Sequence, residues 1–267
     1  MTPQLKQDKL KQRLQELDSV AIAFSSGVDS TFLLKTAHEV LGNRALAVTV
    51  RSCLFPKREL DEAVQFAQDE RIEHIIVDVD ALHVAGFSQN PLNRCYLCKT
   101  ALFSRIRDIV SERGILHVAE GSNADDDGDD RPGMQAIAEL GILSPLREAR
   151  LTKQEIRHLS GKLGLPTWNK PSLACLASRI PYGEEITEER LSMIDKAEQY
   201  LWEAGFQQVR VRLHGSMARI ETDENGMSRL EDKRFREEIY CRFKEIGFVH
   251  SAVDLLGYRT GSMNEGR

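Results

Sequence analysis

The chain is organised around one stretch near its N-terminus, where a buried strand runs into a polar turn and then into a helix. Val20–Phe24 is short, apolar and partly β-branched, which is typical of a buried parallel strand. The turn Ser25–Gly27 ends this run, and apolar residues at helical spacing follow from Asp29. A helix that begins directly after a strand points its free N–H groups and its positive dipole end at one spot. The stretch therefore predicts an anion-binding loop.

Strand-like and helix-like segments then alternate as far as Leu165. Strands are predicted over Ala45–Val50, His74–Val79 and Leu116–Glu120. Helices are predicted around Leu60–Ala67, over Tyr96–Arg113, and from a capping box at Thr152–Glu155 to Leu163. The alternation predicts an α/β fold in which a parallel sheet carries helices on both faces.

The pattern changes after residue 167. We expect residues 1–167 to form one domain, residues 168–186 a junction loop, and residues 187–267 a smaller α+β unit. In this last unit helices are predicted over Thr187–Glu203 and Met227–Ile246, and strands over Val209–Leu213, Ala218–Glu221 and Phe248–Leu255.

Charge and hydropathy narrow the possible partners. The net charge of -5 argues against a broad nucleic-acid surface. No run approaches the roughly 20 apolar residues of a membrane span, and the N-terminus has no apolar signal region. We therefore expect a cytoplasmic protein without a membrane partner. The 5 cysteines, an odd count, favour thiol chemistry or metal binding over a disulfide framework.

The spacing of the cysteines suggests a sulfur site. Cys95 and Cys98 form a C-x-x-C beside basic residues at a predicted helix start, a setting that lowers thiol pKa values. With Cys175 of the junction loop they could hold three irons of a [4Fe–4S] cluster and leave one iron open. A structural zinc site would need a fourth protein ligand. We assign Cys53 and Cys241 to packing.

Two further groups of polar residues are candidates for phosphate or metal binding. An acidic loop around Asp126 follows the strand that ends at Glu120, so its carboxylates could hold Mg²⁺ with nucleotide phosphates, and Arg131 could offset phosphate charge. A solvated acidic loop is the alternative. Arg210 and Arg212 alternate along one strand and project to the same face, either as a phosphate clamp or as a solvated sheet face.

Several motifs carry a resemblance to a known family over nearly the whole chain. In order they are SSGVDS, RCYLCK, GSNADD with DRPG, WNKPSLACLASRIPYG, VRVRLHG and DLLGYRTGSMN. The first resembles the pyrophosphate loop of PP-loop ATP pyrophosphatases, and together they resemble the LarE family of ATP-dependent sulfur transferases. The resemblance implies that a carboxylate of pyridinium-3,5-biscarboxylic acid mononucleotide is adenylated, pyrophosphate is released, and sulfur replaces oxygen in nickel-pincer cofactor biosynthesis. We also expect ATP and Mg²⁺ as cofactors, a small-molecule mononucleotide substrate and a homo-oligomer.

The resemblance also implies roles for individual residues. Nucleotide-binding residues would be Ser25, Ser26, Gly27, Asp29, Ser30, Thr31, Gly121, Asn123, Asp126, Arg131, Ser178 and Arg179. Catalytic residues would be Cys175, Asp29, Glu198, Arg210 and Arg212, and cluster ligands would be Cys95, Cys98 and Cys175. Some family members sacrifice a cysteine's own sulfur, whereas others with three cysteines carry sulfide on a [4Fe–4S] cluster; the pattern here favours the second route. Ser26 replaces a usual glycine, so either its backbone dihedrals are ordinary or the loop is altered.

Other activities of PP-loop enzymes fit the sequence less well. An ammonia-using ligase of the NAD, GMP or asparagine synthetase type has no use for the three cysteines, and no glutaminase domain fits in 267 residues. A tRNA thiolase would use the same cysteines, but the net charge and the lack of a separate RNA-binding segment count against it. The adenylation motif argues against a module that only binds nucleotide.

Overall fold

The computed structural model describes residues 1–126, 132–172 and 174–264. The chain divides into two compact units. The first consists of Met1–Ala85 and Asn93–Leu173, and the second of Gly86–Leu92 and Ala174–Arg267. The second unit thus begins within the segment predicted as a junction loop. It also includes Gly86–Leu92, which lies in sequence between the two segments of the first unit.

The first unit is a parallel sheet between two layers of helices. Its strands are β1 (Val20–Ala23), β2 (Ala45–Arg51), β3 (His74–Asp78) and β4 (Val118–Ala119). Its helices are α1 (Pro3–Gln15), α2 (Val28–Leu41), α3 (Lys57–Asp69), α4 (Arg94–Ser111), α5 (Pro132–Glu139), α6 (Pro145–Glu148) and α7 (Lys153–Lys162). The strand order is β3-β2-β1-β4 with every neighbour parallel, which confirms the predicted α/β class. The last strand is shorter than predicted, and Leu116 is exposed outside it.

Both faces of this sheet are buried because successive strand residues point to opposite sides. Val20 and Ile22 join one apolar cluster with α1, α2, α3 and α7. Ala21 and Leu46 join the other, with α4 and α5. Full burial of a large apolar side chain is worth about 1.5–3 kcal/mol, so these two layers fix the sheet and the loops at its edge.

The second unit is a small mixed sheet with three helices. Its strands are β5 (Val209–His214), β6 (Met217–Thr222) and β7 (His250–Val253), and its helices are α8 (Glu188–Glu203), α9 (Glu224–Arg229) and α10 (Lys233–Ile246). β5 and β6 form an antiparallel hairpin, and β7 pairs in parallel with β6. Gly215 turns the hairpin with a φ of 58°, a left-handed conformation that glycine adopts easily.

Two predictions for the second unit are wrong in detail. The single helix predicted over Met227–Ile246 is two helices, because the Asp232 side chain accepts backbone N–H groups of the following turn and so starts a new helix. The final strand covers only His250–Val253, since the carboxylate of Asp254 accepts a backbone N–H and begins a turn. No described helix is both long and apolar enough to span a bilayer.

Candidate active site

The predicted phosphate loop lies between β1 and α2. Gly27 occupies the N-cap of α2 and has no side chain to bind the first helical N–H groups. The loop closes on itself, because the Ser25 N–H donates to Ser30 Oγ at 3.3 Å and the two hydroxyl oxygens are 3.2 Å apart. Thr31 lies fully buried in the first helical turn. Backbone N–H groups and the helix dipole therefore meet at the carboxyl end of β1, where an anion would bind.

The backbone conformation of Ser26 shows how the loop accommodates a serine in place of the usual glycine. Its φ is 51°, in the left-handed region that glycine adopts more easily than serine. Its hydroxyl donates to the carbonyl of Glu59 at 3.0 Å, and Lys170 Nζ donates to its carbonyl oxygen at 3.0 Å. The alternative of ordinary dihedrals is therefore wrong, and side-chain contacts hold the serine in place.

The second nucleotide motif meets this loop at Asp29. Asn123 Nδ2 donates to Asp29 Oδ1 at 3.3 Å, and Lys153 forms an ion pair with the same carboxylate. A Cβ atom added to Gly121 would lie 3.1 Å from the backbone nitrogen of Ser30, so a side chain here would crowd the start of α2. Residues that are about 90 positions apart in sequence thus form one site in the first unit.

Two carboxylates in the described part of the acidic loop accept backbone N–H groups. Asp126 Oδ2 accepts the N–H of Asn123 at 3.0 Å, and Asp125 Oδ2 accepts the N–H of Lys153 at 2.8 Å. Arg131, predicted to offset phosphate charge, lies outside the described residues.

Sequence reasoning missed three charged residues of the first unit. In the sequence, Lys153 stands out only as a residue at a helix start. The capping box predicted there for Thr152 and Glu155 is confirmed. Lys170 was visible only in the motif WNKPS. Glu120 is buried, and its carboxylate accepts the hydroxyls of Ser122, within the nucleotide motif, and of Ser144, at 2.8 and 2.6 Å.

In the second unit, Arg179 and Glu198 form a buried ion pair. The guanidinium bonds both carboxylate oxygens at 2.9 Å, and it also donates to the carbonyl of Cys175 at 3.0 Å and to the hydroxyl of Ser178 at 2.9 Å. Burial alone would raise the pKa of Glu198, but the charge and hydrogen bonds of Arg179 outweigh it, so the pKa lies below its ordinary value. The pair therefore holds the backbone carbonyl of Cys175 in place.

Arg210 and Arg212 are buried on one face of β5, so the solvated-face interpretation is wrong. Arg212 makes two hydrogen bonds to a carboxylate oxygen of Glu221, at 3.0 and 2.8 Å. Arg210 lies over the ring of Tyr258, 5.3 Å from its centroid. Burial, reinforced by the positive charge of Arg179, lowers the pKa of Arg210 to about 10. Positive charge is therefore concentrated in a sheltered environment that an anionic ligand would complement.

The cysteines lie in separate units. Cys95 is exposed and Cys98 half-buried near the start of α4, as the spacing predicted, whereas Cys175 is half-buried in the second unit. Among the described residues, no three histidine, cysteine, aspartate or glutamate side chains are grouped so that they could hold a metal ion. The two α4 thiols alone are too few for the predicted cluster. Cys241 is exposed on α10, so its assignment to packing is wrong.

Comparison with known proteins places this site in a family. No protein-family model matches the chain. It is 41% identical to "Uncharacterized protein slr1717" of Synechocystis over 97% of each chain. It is 27% identical to the glutamine-hydrolysing GMP synthase of Oleidesulfovibrio alaskensis, over 68% of this chain and 39% of that protein. It is 36% identical to the pyridinium-3,5-bisthiocarboxylic acid mononucleotide synthase of Lactiplantibacillus plantarum, over 94% of this chain and 91% of that protein. At that identity and coverage, the chain belongs to the LarE family of PP-loop proteins, the family of that synthase.

Proposed function

We propose that the protein is an ATP-dependent sulfur transferase that forms the thiocarboxylates of pyridinium-3,5-bisthiocarboxylic acid mononucleotide, the product named for its Lactiplantibacillus relative. The observation that carries this proposal is the meeting of Asp29, Asn123 and Gly121 at the phosphate loop that begins α2. This is where a parallel sheet binds a nucleotide, and the loop has no lysine of the Walker type.

The proposed reaction has two steps. An oxygen of a substrate carboxylate attacks the α-phosphorus of ATP, and the bond to the leaving pyrophosphate breaks. A sulfur nucleophile then attacks the acyl carbon of the adenylate, and AMP departs with the former carboxylate oxygen. One oxygen of the substrate is thereby replaced by one sulfur. Adenylation is required because a free carboxylate is a poor electrophile.

The first unit would supply the binding energy for the first step. The N–H groups at the start of α2 would receive the pyrophosphate part of ATP, together with the hydroxyls of Ser25 and Ser30. Asp29 and Asp126 offer the carboxylate oxygens that Mg²⁺ prefers when it binds nucleotide phosphates.

The second unit would hold the substrate and the sulfur. We assign Arg210 and Arg212 to the 5′-phosphate or second carboxylate of the substrate, because guanidinium groups match the geometry of both anions. Glu198 and Arg179 would act on Cys175 through the backbone they fix. The remaining predicted nucleotide contacts, Ser178 and Arg131, belong to the same proposal.

The sulfur source is a separate part of the proposal. We assign Cys95, Cys98 and Cys175 as ligands of a [4Fe–4S] cluster, and the competing route takes sulfur from Cys175 itself. No group of three metal-binding side chains is found among the described residues, so both routes are kept as hypotheses for experiment. A cytoplasmic homo-oligomer is likewise proposed from the sequence, and light scattering of the purified protein would test its oligomeric state.

Product analysis tests the central claim. With ATP, Mg²⁺ and the biscarboxylic acid mononucleotide, we expect AMP and pyrophosphate to accumulate, resolved by ion-exchange chromatography. Asp29→Ala should abolish both products without unfolding the protein, since Asp29 lies in the first turn of α2 and is only partly buried. Asp8→Ala, on the exposed side of α1, is the matched control and should leave turnover unchanged. Formation of ADP and phosphate would contradict the proposal.

A further inference from the structure

Ser26 of the phosphate loop is bound by a lysine that lies far away in sequence. Lys170 Nζ donates to the Ser26 carbonyl oxygen at 3.0 Å and to its hydroxyl at 3.2 Å, and it also pairs with Glu62. The Ser26 hydroxyl donates onward to the carbonyl of Glu59 at 3.0 Å. These contacts converge on a residue whose φ of 51° is unfavourable for any side chain larger than glycine's hydrogen.

Lys170 is itself fixed by the neighbouring helix α7. The guanidinium of Arg157 donates to the carbonyl of Trp168 at 3.1 Å and to the carbonyl of Lys170 at 2.8 Å. The Lys170 side chain is only 10% exposed. Arg157 of α7 therefore fixes the backbone of Lys170, and the ammonium group of Lys170 is held beside Ser26 instead of moving freely in solvent.

The conformation of Ser26 determines where the loop's N–H groups point. A change in its φ and ψ would rotate the peptide planes on both sides, including the one that carries the N–H of Gly27 at the start of α2. Those N–H groups bind an anion only when they point toward a common centre. A contact that holds Ser26 in place therefore contributes to ligand affinity without touching the ligand.

We propose that Lys170 is a positioning residue for nucleotide binding: it keeps Ser26 in the left-handed conformation that directs the loop's N–H groups at the pyrophosphate part of ATP. The inference rests on the proposed function, because ATP is the ligand it serves. It differs from a direct contact between the lysine and phosphate in one measurable respect. If Lys170 acts through the Ser26 backbone, Ser26→Gly should make Lys170 largely unnecessary, because glycine accepts a positive φ at little cost.

A double-variant cycle tests this distinction. Binding of inorganic pyrophosphate and of a non-hydrolysable ATP analogue is measured by titration calorimetry at fixed ionic strength. We expect Lys170→Met to weaken both affinities by a factor of about 5 to 30, because without Lys170 a smaller fraction of molecules would hold Ser26 in the left-handed conformation. In a Ser26→Gly background the same change should cost about twofold or less, as for uncoupled sites. Lys170→Arg, which keeps the cation, should retain most of the affinity, and it serves as the second variant should the methionine form fold poorly.

Lys162→Met, at an exposed position on α7, is the matched control and should bind as the unmodified chain does. An equal loss from Lys170→Met in both backgrounds would show a role that does not pass through Ser26 and would overturn the inference, as would no loss in either. These outcomes leave the proposed function intact, because AMP and pyrophosphate formation by the unmodified chain is measured separately. Absence of that cleavage, with pyrophosphate binding retained, would instead refute the proposed function alone.

Discussion

Arg179 and Glu198 are joined by two hydrogen bonds of 2.9 Å, and each side chain is only 1% exposed. The same carboxylate accepts the N–H of Val211 on β5 at 2.9 Å, while the guanidinium donates to the carbonyl of Cys175. One ion pair therefore connects helix α8, strand β5 and the cysteine loop. Within the second unit, the conformation of that loop therefore depends on α8 as well as on the loop's own residues.

Glu198→Gln should destabilise the protein strongly. The change leaves the buried charge of Arg179 without its carboxylate, and breaking a buried pair in this way costs about 3–5 kcal/mol. Urea unfolding followed by circular dichroism measures the loss. Glu203→Gln, an exposed position on the same helix, is the control and should change the free energy of unfolding by less than about 0.5 kcal/mol. Equal stability of the two variants would contradict the structural role given to the pair.

The same pair predicts how stability depends on pH. The pKa of Glu198 is lower in the folded protein than the value near 4.3 of an exposed glutamate, since Arg179 overcomes the opposing effect of burial. Its contribution is therefore complete above that ordinary value and is lost as pH falls through the lower folded pKa. Urea midpoints between pH 7 and pH 3 should fall less steeply for Glu198→Gln than for the unmodified chain. Parallel pH profiles would show that Glu198 keeps an ordinary pKa.

The sequence predicted the phosphate loop well because its determinants are local. A short apolar strand, a small-residue turn and a helix start are all readable between Val20 and Leu34. Gly121 and Asn123 could be assigned to the same site because the carboxyl ends of adjacent parallel strands share one sheet edge. Such reasoning needs only that the strands are parallel and that each segment directly follows one of them.

The cations of the site could not be predicted in this way. Lys153 and Lys170 reach the loop only after α7 and the segment that follows it have packed, and no periodicity encodes that approach. Similarly, alternation put Arg210 and Arg212 on one face but could not show that the face is buried. The burial of Arg212 depends on the carboxylate of Glu221 on the paired strand β6, whose register no local pattern specifies.

Gly121→Ala should impair nucleotide binding. The added methyl group would sit 3.1 Å from the backbone nitrogen of Ser30 and 3.3 Å from Asp29 Cβ, where a helix start cannot easily shift. Overpacking of this kind costs about 1–3 kcal/mol. We expect this cost to appear as a weaker binding free energy for a non-hydrolysable ATP analogue, measured by calorimetry. Gly161→Ala is the control, because its methyl group would have no neighbour nearer than 3.9 Å. That change should leave affinity unaltered and stabilise α7 by about 0.5–1 kcal/mol.

Serine variants of the cysteines should separate the two sulfur routes. Cys175→Ser keeps the backbone carbonyl that Arg179 binds, so the change removes the sulfur while the loop keeps its anchor. If the cluster proposal is right, anaerobically reconstituted protein should hold about four irons per chain, and serine at position 95, 98 or 175 should lower the iron content. Cys241→Ser, on the exposed side of α10, is the control and should have no effect.

Mass spectrometry after turnover should find Cys175 unmodified. Iron binding that is indifferent to Cys175→Ser, combined with loss of the mass of H₂S from Cys175 during turnover, would instead establish that the cysteine supplies its own sulfur.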